Sequence, residues 1–104
     1  MDDLRPYYAK IIRYLQARIH KPARAGREGT RPTATIHVMS DRNGHVLLAE
    51  LLISSGYDDL DQEAVAVVKR SDPLPPMPAD TIADHINVNI PVVFNFEQDA
   101  LPYN

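Results

Sequence analysis

The chain has 104 residues, which is the size of one domain, and its 44% hydrophobic and 24% charged residues are ordinary for a globular protein. It contains no cysteine, so it has no disulfide and no thiol nucleophile, and no apolar run approaches the roughly 20 residues of a membrane span. The net charge of −3 is uneven: residues 1–31 carry eight Lys and Arg against three acidic residues, and residues 32–104 carry three against eleven.

The first predicted element is an amphipathic helix over residues 7–20. Its apolar side chains recur at spacings of three and four, at Tyr8, Ile11, Ile12, Leu15 and Ile19. Pro6 fits a first helical turn, and Pro22 disfavours a longer helix. Residues 22–32 contain two glycines and two prolines, which predicts a loop.

A β-hairpin is predicted next, with strands over residues 33–40 and 45–53. The intervening Asp41-Arg42-Asn43-Gly44 contains Asn-Gly, the dipeptide that supplies two left-handed positions to a tight hairpin turn. A two-residue turn at Asn43 and Gly44 would place His37 opposite Glu50 across the hairpin.

A second helix is predicted over residues 59–71. Asp58 or Asp59 is the expected N-cap, and Gln62 would complete a capping box with Asp59. Residues 72–80 contain four prolines and predict an extended loop. We expect this loop to be a rigid spacer held against the domain, and the alternative is a proline-rich ligand for an aromatic groove.

The last predicted element is a strand over residues 85–96, followed by a loosely held tail over 97–104. Its apolar residues alternate along the chain: Ile86, Val88, Ile90, Val92, Phe94 and Phe96. Pro91 cannot donate to a β-ladder, which favours a position at a sheet edge. The predicted fold is therefore α+β in the order α-β-β-α-β, with two helices packed on one face of a three-stranded antiparallel sheet.

The sequence contains no pattern that predicts catalysis. It lacks a nucleophile motif and a phosphate-binding glycine pattern, and His20, His37, His45 and His85 do not have metal-ligand spacing. Acidic residues near position 60 are explained by a helix N-terminus. We therefore expect no enzyme activity, no metal and no cofactor. Nucleic acid is not an expected partner either, because the predicted sheet has no run of exposed aromatic residues.

Several segments together resemble the TonB C-terminal domain family. In chain order they are Pro22-Ala23-Arg24-Ala25, Glu28-Gly29, Asp41-Arg42-Asn43-Gly44-His45-Val46, Ser54-Ser55-Gly56, Leu60-Asp61-Gln62-Glu63-Ala64, Pro73-Leu74-Pro75-Pro76-Met77-Pro78 and Val92-Val93-Phe94-Asn95-Phe96. The resemblance extends over residues 7–96. Two departures stand out: Lys21 replaces the family's tyrosine before Pro22, and Thr30-Arg31-Pro32 follows Gly29.

The resemblance implies a non-enzymatic periplasmic domain of a protein anchored in the inner membrane. Such domains couple the proton motive force, received from inner-membrane motor proteins through a preceding N-terminal part, to outer-membrane transporters for siderophores, haem or vitamin B12. The implied contact is β-strand pairing between the last strand and the TonB box of the transporter. An open edge strand would also allow a homodimer, either edge-paired or domain-swapped.

Two sets of residues are the candidate partner-binding site. The first is the edge of the last strand before Pro91, at His85, Ile86, Asn87, Val88, Asn89 and Ile90. The second is the loop after the first helix, at His20, Lys21, Pro22 and Arg24. The alternatives are a TonB-like module of another envelope system, such as a Tol-type or dedicated haem-uptake transducer, and a domain that binds an anionic polymer through its basic first third.

Overall fold

A computed structural model describes residues 3–20 and 22–97 of the chain. Its elements are α1 (Arg5–Gln16), β1 (Thr33–Asp41), β2 (Val46–Ile53), α2 (Asp58–Arg70) and β3 (His85–Val93). The three strands form one antiparallel sheet in the order β2-β1-β3, which confirms the predicted fold class. Strand β1 is central, so both β2 and β3 are edge strands, as Pro91 indicated for β3.

The core lies between one face of the sheet and the two helices. Alternate residues of β1 and β3 are buried on this face, and α1 packs beside β3 while α2 packs over β1 and β2. Helix α1 contributes Tyr7, Ile11 and Leu15 to the core, and α2 contributes Leu60, Ala64, Val67 and Val68. Phe94 and Phe96, which follow β3, are 1% exposed and extend the core beyond the end of the strand.

Helix α1 ends at Gln16, four residues before the predicted end. The chain turns there because the next residues bond to α2 instead of continuing the helix. The N–H of His20 donates to Glu63 Oε2 at 2.6 Å, and Arg70 Nη2 donates to the carbonyl of Arg18 at 3.0 Å. These contacts fix the direction in which the loop leaves α1.

The hairpin between β1 and β2 differs from the predicted turn. Only Gly44 has a positive φ, of 90°, and Asn43 does not, so the prediction of two left-handed residues was wrong. The N–H of Gly44 donates to the carbonyl of Asp41, which closes a three-residue connection between Asp41 and His45. A bulge between Met39 and Ser40 then shifts the register, so that His37 does lie opposite Glu50 as predicted.

Helix α2 begins at Asp58 with Tyr57 at the N-cap, and no side chain caps it there. The predicted aspartate N-cap and capping box with Gln62 were therefore wrong. Asp61 acts instead on the preceding turn: its carboxylate accepts hydrogen bonds from Ser54 Oγ, from the Ser55 N–H at 2.8 Å and from Ser55 Oγ at 2.7 Å. This network joins the end of β2 to the first turn of α2.

The proline-rich loop is packed against the domain, in the position expected for a spacer held there. Leu74 and Met77 are buried, and the loop backbone pairs with the hairpin turn through Leu74 N–H to Gly44 and Met77 N–H to Arg42. The guanidinium of Arg42 also donates to the carbonyls of Thr81 and Ala83. Tyr7 Oη binds the carbonyl of Pro75 at 2.7 Å, so α1 and the hairpin hold the loop from two sides.

Candidate functional site: the open edge of the last strand

Strand β3 presents its backbone to solvent along one side. In an antiparallel pair, successive residues alternately direct both backbone groups toward the partner strand and away from it. The N–H groups of Phe94 and Phe96 donate to the carbonyls of Pro32 and Thr30, so the even-numbered residues face the β1 side. The odd-numbered residues consequently face the open edge.

The odd-numbered residues of β3 provide a short hydrogen-bonding template. His85, Asn87 and Asn89 each offer one N–H and one carbonyl to the open edge, and Pro91 offers a carbonyl alone. Val93 also faces outward, but Gln16 of α1 binds both of its backbone groups. The part of the edge that is open to a partner strand therefore runs from His85 to Pro91.

Side chains beside this edge are polar on the outer sheet face. Asn87 and Asn89 are exposed there, and His37 of the central strand lies next to them. The His37 ring bridges the three strands, with Nε2 3.1 Å from Asn87 Oδ1 and Nδ1 3.4 Å from Glu50 Oε1. The even-numbered residues Ile86 and Ile90 point into the core. An added strand would therefore lie beside polar side chains on the outer face of the sheet and beside apolar side chains on the core face.

The second edge strand, β2, is more apolar than β3. Within residues 3–20 and 22–97, four of the five large hydrophobic side chains that are exposed belong to β2: Leu47, Leu51, Leu52 and Ile53. However, two bulges interrupt the β2 register within its eight residues. Bulges twist an edge and break its regular pairing, whereas β3 pairs with β1 without any interruption. The regular edge is therefore β3.

The loop after α1 lies at the opposite end of β3 from His85. Arg24 Nη2 donates to the carbonyls of Phe96 and Glu97, at 3.0 and 3.1 Å. Phe96 is seven residues beyond Asn89, or about 20 Å along an extended chain. His20 binds Glu63 on α2, Pro22 is half-buried, and Lys21 lies outside the described residues. The structure thus places Arg24 at the other end of the strand from His85 and does not bring it together with the first predicted set.

Some of the basic residues of the first third contact other parts of the domain. Arg27 donates to Asp59 Oδ1 at 2.5 Å and stacks on the rings of Tyr57 and Phe96, with its guanidinium carbon 4.7 and 5.8 Å from their centroids. Its hydrogen bond holds the pKa of Asp59 below the usual value. The guanidinium of Arg18 lies over the Tyr14 ring at 3.6 Å. Of these two arginines, Arg27 is half-buried against the domain, and Arg18 stays exposed beside Tyr14.

The described residues provide no metal centre and no membrane-spanning helix. No group of three or more His, Asp or Glu side chains among them is placed to hold a metal ion. No helix within the same residues is long and apolar enough to cross a bilayer.

Comparison with known proteins places this architecture in a defined class. The solution structure of the Helicobacter pylori TonB C-terminal domain superposes with a TM-score of 0.69 at 18% identity, over 95% of this chain and 100% of that one. The structure of the HasB C-terminal domain superposes with a TM-score of 0.52 at 32% identity, over 89% of this chain and 70% of that one. The fold is that of a TonB-type C-terminal domain.

The family description "TonB C terminal" matches residues 4–96. The chain belongs to the TonB C-terminal domain family, as the sequence motifs indicated. No protein in the curated set matches the sequence. Domains of this family are energy-transducing and binding modules that generally contact outer-membrane transporters, and they are typically periplasmic.

Proposed function

We propose that this chain is the periplasmic C-terminal domain of a TonB-like transducer, which couples inner-membrane proton motive force to outer-membrane transporters for siderophores, haem or vitamin B12. Inner-membrane motor proteins would act through an N-terminal anchor and spacer. The contact with the transporter is strand addition of its TonB box to β3. The observation that carries the proposal is the uninterrupted open edge of β3, where the backbone of His85, Asn87 and Asn89 faces outward.

Strand addition suits this edge because the affinity would come from backbone hydrogen bonds. Such bonds are formed by a short extended segment of almost any sequence, and side chains at alternate positions add selectivity. Arg24, at the far end of β3, is engaged with the chain after Phe96 and supports the position of that end. We propose that Lys21, next to Pro22, contributes charge for partner selection.

The test is an amide NMR titration with short peptides from the N-terminal plug regions of the host's outer-membrane transporters. We expect saturable shifts concentrated at residues 85–91, and these should survive moderate salt because backbone pairing is weakly screened. The matched control is the same peptide N-methylated at alternate residues, which cannot donate to the edge. Equal binding of the methylated peptide would contradict strand addition.

Two other functions give different results in the same experiment. A TonB-like module of another envelope system, Tol-type or dedicated to haem uptake, would bind peptides of that system and ignore the rest of the panel. An anionic-polymer binder would show shifts between Lys10 and Arg31 that disappear with salt. The burial of Arg27 against Tyr57 and its pairing with Asp59 argue against an anionic-polymer binder, because they leave one cation fewer on this surface. Pairing of two copies through β3 would appear as shifts that depend on protein concentration.

A further inference from the structure

A single side chain of α1 replaces a neighbouring strand at the end of β3. Gln16 Nε2 donates to the carbonyl of Val93 at 2.5 Å, and the N–H of Val93 donates to Gln16 Oε1 at 3.1 Å. Both outward backbone groups of Val93 are therefore satisfied by one amide. A residue of an added β-strand would make the same pair of bonds.

The position of this amide decides how much of the edge is open. Pro91, two residues earlier on the same edge, has no N–H to donate, although its carbonyl is available. From His85 onward, a partner strand finds paired donors and acceptors at three residues, a carbonyl alone at Pro91, and an occupied residue at Val93. The hydrogen-bonding edge therefore weakens and then closes toward its C-terminal end.

We propose that Gln16 is an end stop that confines an added strand to His85–Pro91 and sets its register. This inference rests on the proposed strand-addition function and specifies which peptides the edge takes: extended segments of about seven residues, the span from His85 to Pro91. A longer segment gains nothing, because reaching Val93 exchanges the two bonds of Gln16 for two equivalent bonds of its own.

The end stop is held in place by the core. Ile11 and Leu15 on α1 are 0% and 1% exposed, so the helix cannot shift away from β3 without opening the core. Gln16 itself is half-buried and follows Leu15 directly. A glutamine is suited to this position because its amide both donates and accepts, whereas a carboxylate could only accept from the Val93 N–H.

The first readout needs no ligand. Hydrogen–deuterium exchange of the Val93 amide is measured by NMR in the wild type, in Gln16→Ala and in Gln16→Glu. We expect Gln16→Ala to accelerate exchange at Val93 by about tenfold, from the loss of a hydrogen bond, while Gln16→Glu retains most of the protection. Unchanged exchange in Gln16→Ala would overturn the end stop directly.

The second readout uses peptides of alternating threonine and valine, about seven and about eleven residues long, that carry the same two lysines for solubility. The wild type should bind both with equal affinity, and Gln16→Ala should bind the longer peptide about three- to tenfold more tightly than the shorter one. Binding without length dependence in Gln16→Ala would overturn the end stop and leave strand addition intact. Absence of binding to every variant would overturn strand addition, and the end stop with it.

Discussion

The carboxylate of Asp61 accepts two hydrogen bonds from Ser55, one from its N–H at 2.8 Å and one from its Oγ at 2.7 Å. Since Asp61 is nearly buried, these bonds lie at the junction between β2 and α2 and are shielded from water. They explain why a Ser-Ser-Gly turn and a Leu-Asp pair occur together in this sequence. The serines supply donors, and the aspartate fixes the turn to the helix.

Replacement of Asp61 by asparagine should destabilise the domain by about 1–3 kcal/mol, because charge-assisted hydrogen bonds at a buried site become neutral or are lost. The measurement is urea unfolding followed by circular dichroism. The control is Asp58→Asn, an exposed residue in the first turn of the same helix, which should cost about 0.5 kcal/mol. Equal losses of stability in the two variants would show that Asp61 stabilises the domain only through its charge near the helix N-terminus.

The same carboxylate predicts a dependence of stability on pH. Burial opposes ionisation of Asp61, but the hydrogen bonds from Ser54 and Ser55 outweigh it, so the pKa of Asp61 lies below its usual value. A lowered pKa in the folded state means that stability is fully present above the unfolded value of about 3.9 and is lost as the pH falls through the folded value. The midpoint temperature of thermal unfolding should therefore be constant from about pH 5 to 7 and fall below about pH 4. The midpoint temperature of Asp61→Asn should fall less steeply over that acid range. An identical pH dependence in the wild type and the variant would assign the effect to other carboxylates.

Gly44 of the hairpin turn should be irreplaceable even by alanine. Its φ is 90°, and a Cβ atom built on it would lie 1.9 Å from the carbonyl oxygen of Leu74. Gly44→Ala must therefore displace the proline-rich loop, and we expect a loss of about 3 kcal/mol or more. Gly26→Ala is the matched control: its φ is 81°, and its added Cβ would meet nothing within 4 Å, so it should cost only about 1 kcal/mol. Comparable urea midpoints would contradict the role of the loop contact.

Arg27 should contribute more to stability than the other arginines of its loop. Its side chain is 13% exposed, paired with Asp59 and stacked on Tyr57, whereas Arg31 is 55% exposed and 3.8 Å from Glu97. We expect Arg27→Ala to cost about 1–2 kcal/mol, and Arg31→Ala about 0.5 kcal/mol or less. Arg27→Lys should recover only part of the loss, because lysine keeps the charge without the planar stacking. Full recovery of stability by lysine would show that Arg27 contributes only through its charge.

Periodicity was sufficient to predict the order of the elements, since each helix and strand buries one face. The errors arose where a local pattern competes with a distant contact. Asn43-Gly44 indicated a two-residue turn, but Leu74 packs against Gly44 and the hairpin takes a longer connection with a compensating bulge. Aspartates before α2 indicated an N-cap, yet Asp61 is committed to Ser54 and Ser55.

The position of β3 at an open edge of the sheet was predicted in part. Alternation and Pro91 indicated that β3 lies at an edge, but they do not show which of its residues direct their backbone outward; the pairing with β1 and Thr30–Pro32 decides that. Gln16 could not be identified at all from sequence, because a glutamine on a helix has the pattern of a solvated residue. Its contact joins residues 77 positions apart in the chain.

The use of β3 rather than β2 as the pairing edge is tested by two proline substitutions. The N–H of Asn89 faces the open edge of β3, so Asn89→Pro removes a donor to the partner strand and keeps the ladder to β1. Pro91 already occupies an equivalent position on the same edge without interrupting that ladder. We expect stability to change little and peptide affinity to fall about three- to tenfold, as for one lost hydrogen bond. Asn89→Ala, which keeps the N–H and removes the side-chain amide, separates the backbone contribution from that of the side chain.

The matched control lies on the other edge. Leu48 and Glu50 of β2 lie opposite Met39 and His37, odd-numbered residues of β1 whose backbone groups face β2. Ala49 lies between them, so its N–H points to the open edge of β2. Ala49→Pro should leave peptide binding at wild-type affinity. If Ala49→Pro weakens binding and Asn89→Pro does not, the partner strand pairs with the apolar, bulged edge, and the assignment of β3 as the docking strand is wrong. Isothermal calorimetry with one plug-region peptide, at matched fractions of folded protein, measures all three variants on one scale.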